Sequence, residues 1–139
     1  MSQENVEIVR RIYAAMEETG SFAASGLLHA DVEWVNPDNA IEPGTRIGVD
    51  AFDAAWSSVR HSFETIAFEP GDFLDAGDHV VFITIMRARG HGSGADVEHP
   101  QGHVWTIKKG KAIRMRWFHH PHLALKAVGL SEQDADADS

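Results

Sequence analysis

The sequence predicts a single α+β domain in which helical segments pack on one face of a strongly curved, mainly antiparallel sheet. Apolar residues recur at helical spacing in the N-terminal part, whereas the second half contains four long strand-like runs joined by short turns. Helices followed by a meander of strands are typical of a layered structure. A chain of 139 residues is long enough for one hydrophobic core, so a second domain is not expected.

Three helical segments are predicted before the meander. The first begins at Ser2 and ends at Gly20, because apolar side chains repeat every three or four residues between them, at Val6, Val9, Ile12 and Met16. A short second helix is predicted over about Ser21–Leu28, and a third over roughly Val49–His61. A final helical turn is expected after the last strand, at Leu123–Val128.

Five strands are predicted. The first, Asp31–Asn36, alternates in side-chain character until Pro37, which cannot continue a hydrogen-bonded ladder. Residues 37–48 are rich in turn-forming residues, with one short bridge expected near Arg46-Ile47. The other four strands form the meander, at about 63–75, 78–90, 95–108 and 111–119.

Composition argues against several classes of function. The net charge of −9 disfavours a general affinity for nucleic acid or for anionic membrane surfaces. The chain has no cysteine and no glycine-rich phosphate-binding loop, so no cofactor is expected. The N-terminus lacks the pattern of a signal peptide, which predicts a cytoplasmic protein. Residues 1–130 are predicted to form the domain and residues 131–139 an acidic, disordered tail.

The order of these elements resembles the nuclear transport factor two-like superfamily and, within it, the SnoaL-like group. The resemblance spans residues 2–130 and is carried by five segments, Ser2–Arg11, Leu28–Trp34, Asp75–Asp78, His103–Thr106 and Gly110-Lys111. It implies a cone-shaped half-barrel with a pocket between the concave face of the sheet and the helices. The superfamily includes isomerases, polyketide cyclases, epoxide hydrolases, dehydratases and non-catalytic domains, so the fold alone does not assign an activity.

The hairpin at Lys108-Lys109-Gly110 determines which side chains are expected in that pocket. Glycine in the third position fits a three-residue loop with a left-handed glycine that forms a bulge. Trp105 is then expected opposite Ile113, and His103 opposite Met115. This register collects the apolar set on one face, together with a few polar groups: His99, Gln101, His103, Trp105, Ile107, Ile113, Met115, Trp117 and His119.

Ten residues are candidates for a functional site, since large rings with a few polar groups are typical of small-molecule pockets. His103, in mid-strand between apolar neighbours, is the candidate catalytic acid or base. The alternative is that the tryptophans are ordinary core residues and His103 is a buried structural histidine. The predicted substrate-binding residues, several of them placed by the resemblance, are Tyr13, Trp34, Asn36, Trp56, Gln101, Trp105, Met115, Trp117 and His119.

No metal site is predicted. His99 and His103 lie four residues apart on one strand, which is too far for both to bind the same ion. The cluster His119-His120-Pro121-His122 has no acidic residue beside it, and it is interpreted as a surface cluster rather than a zinc or nickel site.

For three activities known in the superfamily that the sequence resembles, this chain lacks a central catalytic residue. In ketosteroid isomerases an aspartate precedes the proline that ends the first strand, and Asn36 stands at that position here. In SnoaL-like cyclases an acid–base aspartate lies on the last strand, where this chain has Trp117. The epoxide hydrolases need acidic residues on the pocket face, and none is predicted there. An amide such as Asn36 can orient a substrate or donate to an oxyanion, but it cannot abstract a proton.

The sequence leaves three functions open. The first is a SnoaL-like protein that binds a small apolar compound, cyclic or polyketide-like, with isomerase, cyclase or hydrolase activity unassigned. The second is a non-catalytic ligand-binding or dimerisation module, and the third is a vestigial domain whose own tryptophans fill the pocket. A homodimer is expected through the outer sheet face, because Val81, Ile83 and Ile85 point outward while Phe82, Thr84 and Met86 point inward.

Overall fold

The computed structural model describes residues 2–131, which form three α-helices and seven strands of one open, curved sheet. None of these helices is long and apolar enough to cross a membrane. Of the acidic tail predicted at 131–139, all but Ser131 lies outside the described residues. The elements in chain order are α1 (Ser2–Thr19), β1 (Leu28–Asn36), β2 (Gly44–Ile47), α2 (Val49–His61), β3 (Thr65–Phe68), β4 (Asp72–Ala76), β5 (His79–Arg89), β6 (Asp96–Lys108), β7 (Lys111–Phe118) and α3 (Pro121–Ala127).

The sheet is mixed and mainly antiparallel, as the sequence predicts. Its strand order is β2-β1-β7-β6-β5-β3, and β4 also pairs with β5. β1 runs parallel to β7, with Trp34 opposite Met115, and the other described pairings are antiparallel. The first strand therefore lies beside the last, so that residues from distant parts of the sequence share one face.

The second predicted helix is reduced to a single 3-10 turn at Ala23–Ser25. The turn ends at Gly26, which adopts the left-handed conformation with a φ of 72°. β1 then begins at Leu28, three residues earlier than predicted, because Leu28 pairs with Ala112 of β7. Pairing within the sheet thus overrides the helical tendency of residues 21–28.

The long strand predicted at 63–75 is two strands, β3 and β4, which both pair with β5. The break falls at Pro70-Gly71, since proline has no N–H for the ladder. Gly71 passes so close to β5 that a Cβ atom there would lie 1.9 Å from a backbone carbonyl oxygen. The break lets Phe68 and Phe73 pair with inward-facing residues of the same strand, β5.

The predicted register of β6 against β7 is wrong. Lys109 and Gly110 both have positive φ, 52° and 79°, and form a two-residue turn of the kind favoured in hairpins. One extra residue in β7 then shifts the ladder, so that Trp105 pairs with Met115 rather than Ile113. Because the displacement from the prediction is two residues, side-chain alternation is preserved, and the predicted face keeps its members apart from Ile113.

The main core lies between α1, α2 and the inward face of the sheet. Ile12 of α1, Phe52 of α2 and Trp105 of β6 have no exposed surface, and burying such side chains contributes about 1.5 to 3 kcal/mol each. On β5 the inward residues have the predicted parity, and all are buried: Val80, Phe82, Thr84 and Met86.

α3 covers part of the opposite face of the sheet. Ala124 and Leu125 pack in a second cluster with Leu74, Val81 and Val104. Gly102 of β6 permits this approach, because a Cβ atom there would lie 2.4 Å from Cβ of Ala124. Of the outward-facing residues for which a dimer partner was predicted, Val81 is therefore covered by α3 of the same chain. Ile85 lies outside the cluster and is half-buried.

Candidate functional site

A cavity of about 280 Å³ lies between α1, α2 and the inward face of the sheet. Both helices and five strands, β1, β3, β5, β6 and β7, contribute to its wall. No Asp, Glu, Lys or Arg is among the lining residues, which are Tyr13, Phe22, Trp34, Trp56, Val59, Phe63, Phe68, Met86, Val97, His99, Gln101, His103, Met115, Trp117 and His119.

Most of the predicted site residues meet at this cavity, but two do not. Trp105 is fully buried behind the wall, where it belongs to the core. Asn36 lies outside the lining and interacts with tryptophan side chains instead. The predicted residues that do line the cavity are Tyr13, Trp34, Trp56, Gln101, His103, Met115, Trp117 and His119.

Four polar side chains form a directed chain of hydrogen bonds along the cavity wall. The indole N–H of Trp105 can only donate, and it donates to the hydroxyl oxygen of Tyr13 at 3.0 Å. The Tyr13 O–H is then free to donate to Nδ1 of His103, at 2.5 Å. His103 therefore carries its proton on Nε2, which donates to Oε1 of Gln101 at 2.9 Å. These three donor protons are all used within the protein.

Burial keeps the four side chains of this hydrogen-bond series uncharged. The Tyr13 and His103 residues are 5% and 4% exposed. Because burial penalises the imidazolium form, it lowers the pKa of His103 to about 3. Burial also raises the pKa of Tyr13 far above its ordinary value, against a smaller lowering by the hydrogen bond from Trp105. A histidine of such low pKa is a weak base at neutral pH, so the geometry favours a hydrogen-bonding role over proton abstraction.

Asn36 fixes two tryptophans of the wall in place. Its Oδ1 accepts hydrogen bonds from Nε1 of Trp34 and from Nε1 of Trp117, both at 2.7 Å, and its Nδ2 donates to the carbonyl oxygen of Glu42 at 2.8 Å. The indole N–H of Trp56 likewise donates to a backbone oxygen just after α1, at 3.2 Å. These three tryptophans thus use their N–H groups within the protein and offer the cavity their rings.

The residues of the lining that the sequence did not predict lie on connecting segments, on β3 and β5, and at one position each of α2 and β6. Side-chain alternation on β5 could have identified Met86, which pairs with His99. Phe22 and Phe63 lie between regular elements, where no periodicity indicates which way a side chain points. The missed residues are Phe22, Val59, Phe63, Phe68, Met86 and Val97.

Two further histidines lie at the exposed end of the cavity, beside Val97, which is 38% exposed. The rings of His99 and His119 are 5.6 Å apart, and Nδ1 of His99 is buried without a hydrogen-bond partner among residues 2–131. Burial lowers the pKa of His119, and the neighbouring His99 and His120 lower it further. Within the described part of the chain, no group of three or more His, Asp or Glu side chains is arranged to hold a metal ion.

The sequence model of the SnoaL-like domain family matches residues 9–115 of this chain. The matched region runs from α1 into β7 and contains all of the cavity lining except Trp117 and His119. No curated protein sequence shows significant similarity to the chain.

Several solved structures have the same fold. An NTF2-like protein from Burkholderia xenovorans LB400 is 26% identical, with a TM-score of 0.72 over 92% of this chain and 97% of that one. TerC, co-crystallised with polyporic acid, is 25% identical, with a TM-score of 0.72 over 90% of this chain and 98% of that one. A protein of ketosteroid isomerase-like fold from Catenulispora acidiphila, in complex with trimethylamine, is 20% identical, with a TM-score of 0.68 over 91% and 95% of the two chains.

The low pKa of His103 predicts a loss of stability in mild acid. In the folded protein this pKa is about 3, whereas an unfolded histidine has a value of roughly 6.5. As the pH falls below roughly 6.5, His103 becomes protonated in the unfolded protein but stays neutral in the folded protein. The free energy of unfolding is therefore highest above this pH and decreases as the pH falls toward the folded pKa of about 3. Urea unfolding should show that the wild type loses about 2 kcal/mol more than His103→Gln between pH ~7 and pH ~5.

The control is His91→Gln, because His91 is exposed and lies outside the cavity lining. This variant should retain the wild-type difference between the two pH values. Equal losses in wild type and His103→Gln would contradict a neutral, buried His103.

Proposed function

Because the chain belongs to the family of SnoaL-like domains, we propose that its cavity binds a small apolar ring compound of a cyclic or polyketide-like kind. The cavity itself carries this proposal: about 280 Å³ is surrounded by aromatic and aliphatic side chains, without one Asp, Glu, Lys or Arg among them. Such a lining favours transfer of an apolar ring out of water and disfavours phosphate groups.

The volume limits the size of the ligand. Pockets for drug-sized ligands measure roughly 300 to 1,000 Å³, so a cavity of about 280 Å³ suits a compact ligand of one or two fused rings. Trp34, Trp56 and Trp117 supply ring surfaces, since their N–H groups are bonded elsewhere. Aromatic contacts of this kind are worth about 0.5 to 1.5 kcal/mol each beyond the area they bury. The co-crystallisation of TerC with polyporic acid supports small-molecule binding as a role for this fold.

Binding without catalysis fits the geometry better than an isomerase, cyclase or hydrolase activity. A catalytic role for His103 remains a prediction, supported by its place in the cavity wall. Against it, the pKa of His103 is lowered to about 3, and both ring nitrogens already have partners in Tyr13 and Gln101. The vestigial alternative is the least favoured, because the tryptophans line the cavity without filling it.

A homodimer through the outer sheet face also belongs to this proposal, as does a cytoplasmic location. The dimer contact would use the part of the face that α3 leaves uncovered, near Ile85, since Val81 and Ile83 already pack with Ala124 and Leu125. The resemblance to the nuclear transport factor two-like superfamily implies the same arrangement.

Filling the cavity should abolish ligand binding. Val59 is a half-buried cavity residue on α2, and Val59→Trp would place a large ring inside the space. In a thermal-shift titration, the neutral compound 2-naphthamide should stabilise the wild type by about 2.7 kcal/mol at 100 times its Kd, a rise of several degrees in Tm. Val59→Trp should show no such shift.

The control for this variant is Ile47→Trp, on the exposed edge strand β2, which should shift like the wild type. Inorganic phosphate and nucleotides should shift neither protein. An equal 2-naphthamide shift in Val59→Trp, or stabilisation by a nucleotide, would contradict binding in this cavity.

If the outer face forms the dimer contact, a charged residue in place of Ile85 should prevent dimerisation. Sedimentation velocity at micromolar concentration should show a dimer for the wild type and a monomer for Ile85→Asp, because a desolvated carboxylate at the contact is costly. Ile47→Asp, at an exposed position on β2, should remain dimeric. A monomeric wild type would show that the outer face is not an interface.

A further inference from the structure

The polar groups of the cavity divide into two sets. In the inner set, Tyr13 and His103 use their donor protons within the hydrogen-bond chain, and Gln101 accepts from His103. The tryptophan N–H groups are also bonded to the protein. A ligand therefore finds most inner donors occupied, and the inner part of the cavity acts as an apolar surface.

The outer set consists of His99 and His119, at the exposed end of the same cavity. Nδ1 of His99 is buried without a partner within residues 2–131, which is an unfavourable state for a polar atom. The two imidazoles are 5.6 Å apart, and the ring of His119 packs edge-on to Trp117 at 4.9 Å. These two residues are the lining side chains best placed to bond a polar group of a ligand.

The charged groups around this pair leave it without a described counterion. On β6 the flanking carboxylates Asp96 and Glu98 form ion pairs with Arg89 and Arg87 of β5. The residue opposite His99 on β5 is Met86, and α2 with the segment after it contributes Val59 and Phe63. On its own segment His119 is followed by His120, whose ring is 6.3 Å from that of His99. Only histidines can therefore become charged at this end of the lining.

We propose that His99 and His119 bind the acidic group of a ligand whose apolar ring fills the inner cavity, so that the ligand class is a cyclic or aromatic carboxylate. This inference rests on the proposed function and narrows it. A cationic ligand would enter a wall with no carboxylate to pair with it, whereas an anion can be neutralised by a histidine that takes up a proton.

Proton uptake is the signature that distinguishes this site from simple apolar binding. In the free protein, burial and the two neighbouring histidines lower the pKa of His119. An anion held against the pair would raise it again, so the complex carries a proton that the free protein lacks. Affinity for an anion should therefore increase as the pH falls toward the ordinary pKa of histidine, and affinity for a neutral ligand of the same shape should not.

The experiment compares 2-naphthoate with 2-naphthamide by isothermal titration calorimetry, with EDTA present to exclude a metal-bridged carboxylate. The wild type should bind 2-naphthoate at least about tenfold more tightly at pH ~5.5 than at pH ~8, while 2-naphthamide changes less than about twofold. Titrations in two buffers of different ionisation enthalpy should reveal proton uptake with 2-naphthoate only. This measurement on the wild type needs no variant to fold.

Two variants assign the effect to the pair. His99→Gln and His119→Gln keep hydrogen-bonding capacity but cannot become charged, so each should lose the pH dependence for 2-naphthoate and still bind 2-naphthamide. His91→Gln, outside the lining, should behave like the wild type. Retention of the full pH dependence in both pair variants would overturn the assignment.

Different results would overturn the acidic-ligand site and the apolar cavity. If 2-naphthamide binds but 2-naphthoate gains nothing at low pH and takes up no proton, the acidic-ligand site is overturned while the apolar cavity stands. Tighter binding of 2-naphthylmethylammonium than of 2-naphthoate would overturn it too. If neither 2-naphthoate nor 2-naphthamide binds, the inference falls together with the proposed function.

Discussion

The hydrogen bond between Tyr13 and His103 joins α1 to the middle of the sheet, and the cavity depends on it. Tyr13 is held from the other side by Trp105, and its ring packs against Phe22 and Phe82 at centroid separations of 5.4 and 4.5 Å. Because the buried polar atoms in this series of hydrogen bonds satisfy one another, the site can be both deep and uncharged. Leaving either Tyr13 or His103 without its hydrogen-bond partner would cost about 1 to 3 kcal/mol. A neutral series of paired groups is therefore more stable here than an isolated acid or base.

Periodicity predicted which side chains of β5, β6 and most of β7 lie on the inner face of the sheet, even where the register between β6 and β7 was wrong. The error at Lys109-Gly110 and the extra residue in β7 together displaced the ladder by two residues, and a displacement of two leaves alternation intact. Periodicity could not locate the break at Pro70-Gly71 within a continuous strand-like run, although proline was a warning. It also could not reveal that α3 packs on the outer face, because a glycine such as Gly102 carries no hydrophobic signal.

Eight of the fifteen residues that line the cavity were among the site residues predicted from the sequence, but the position of each side chain within the site was not predictable. Trp105 and Trp34 have the same place in a strand pattern, yet Trp105 is buried in the core and Trp34 lines the cavity. The depth of each side chain depends on which helix packs over it. Asn36 was expected to face a ligand and instead holds Trp34 and Trp117 by their N–H groups. This role suits an amide, because its oxygen accepts from both indoles while its nitrogen donates to the carbonyl oxygen of Glu42. The role inferred for His99 and His119 depends on the closeness of their rings, which the sequence pattern does not predict.

His103 belongs to a neutral, directed series of hydrogen bonds rather than to a proton-transfer site. Nitrogen-15 NMR of the histidine side chains can establish the protonation state of His103, because the two ring nitrogens have distinct chemical shifts in each tautomer and in the imidazolium form. His103 should be neutral with its proton on Nε2 from pH ~8 down to pH ~5, since Nδ1 accepts from Tyr13 and burial lowers the pKa of His103. An imidazolium at pH ~7, or a proton on Nδ1, would contradict it.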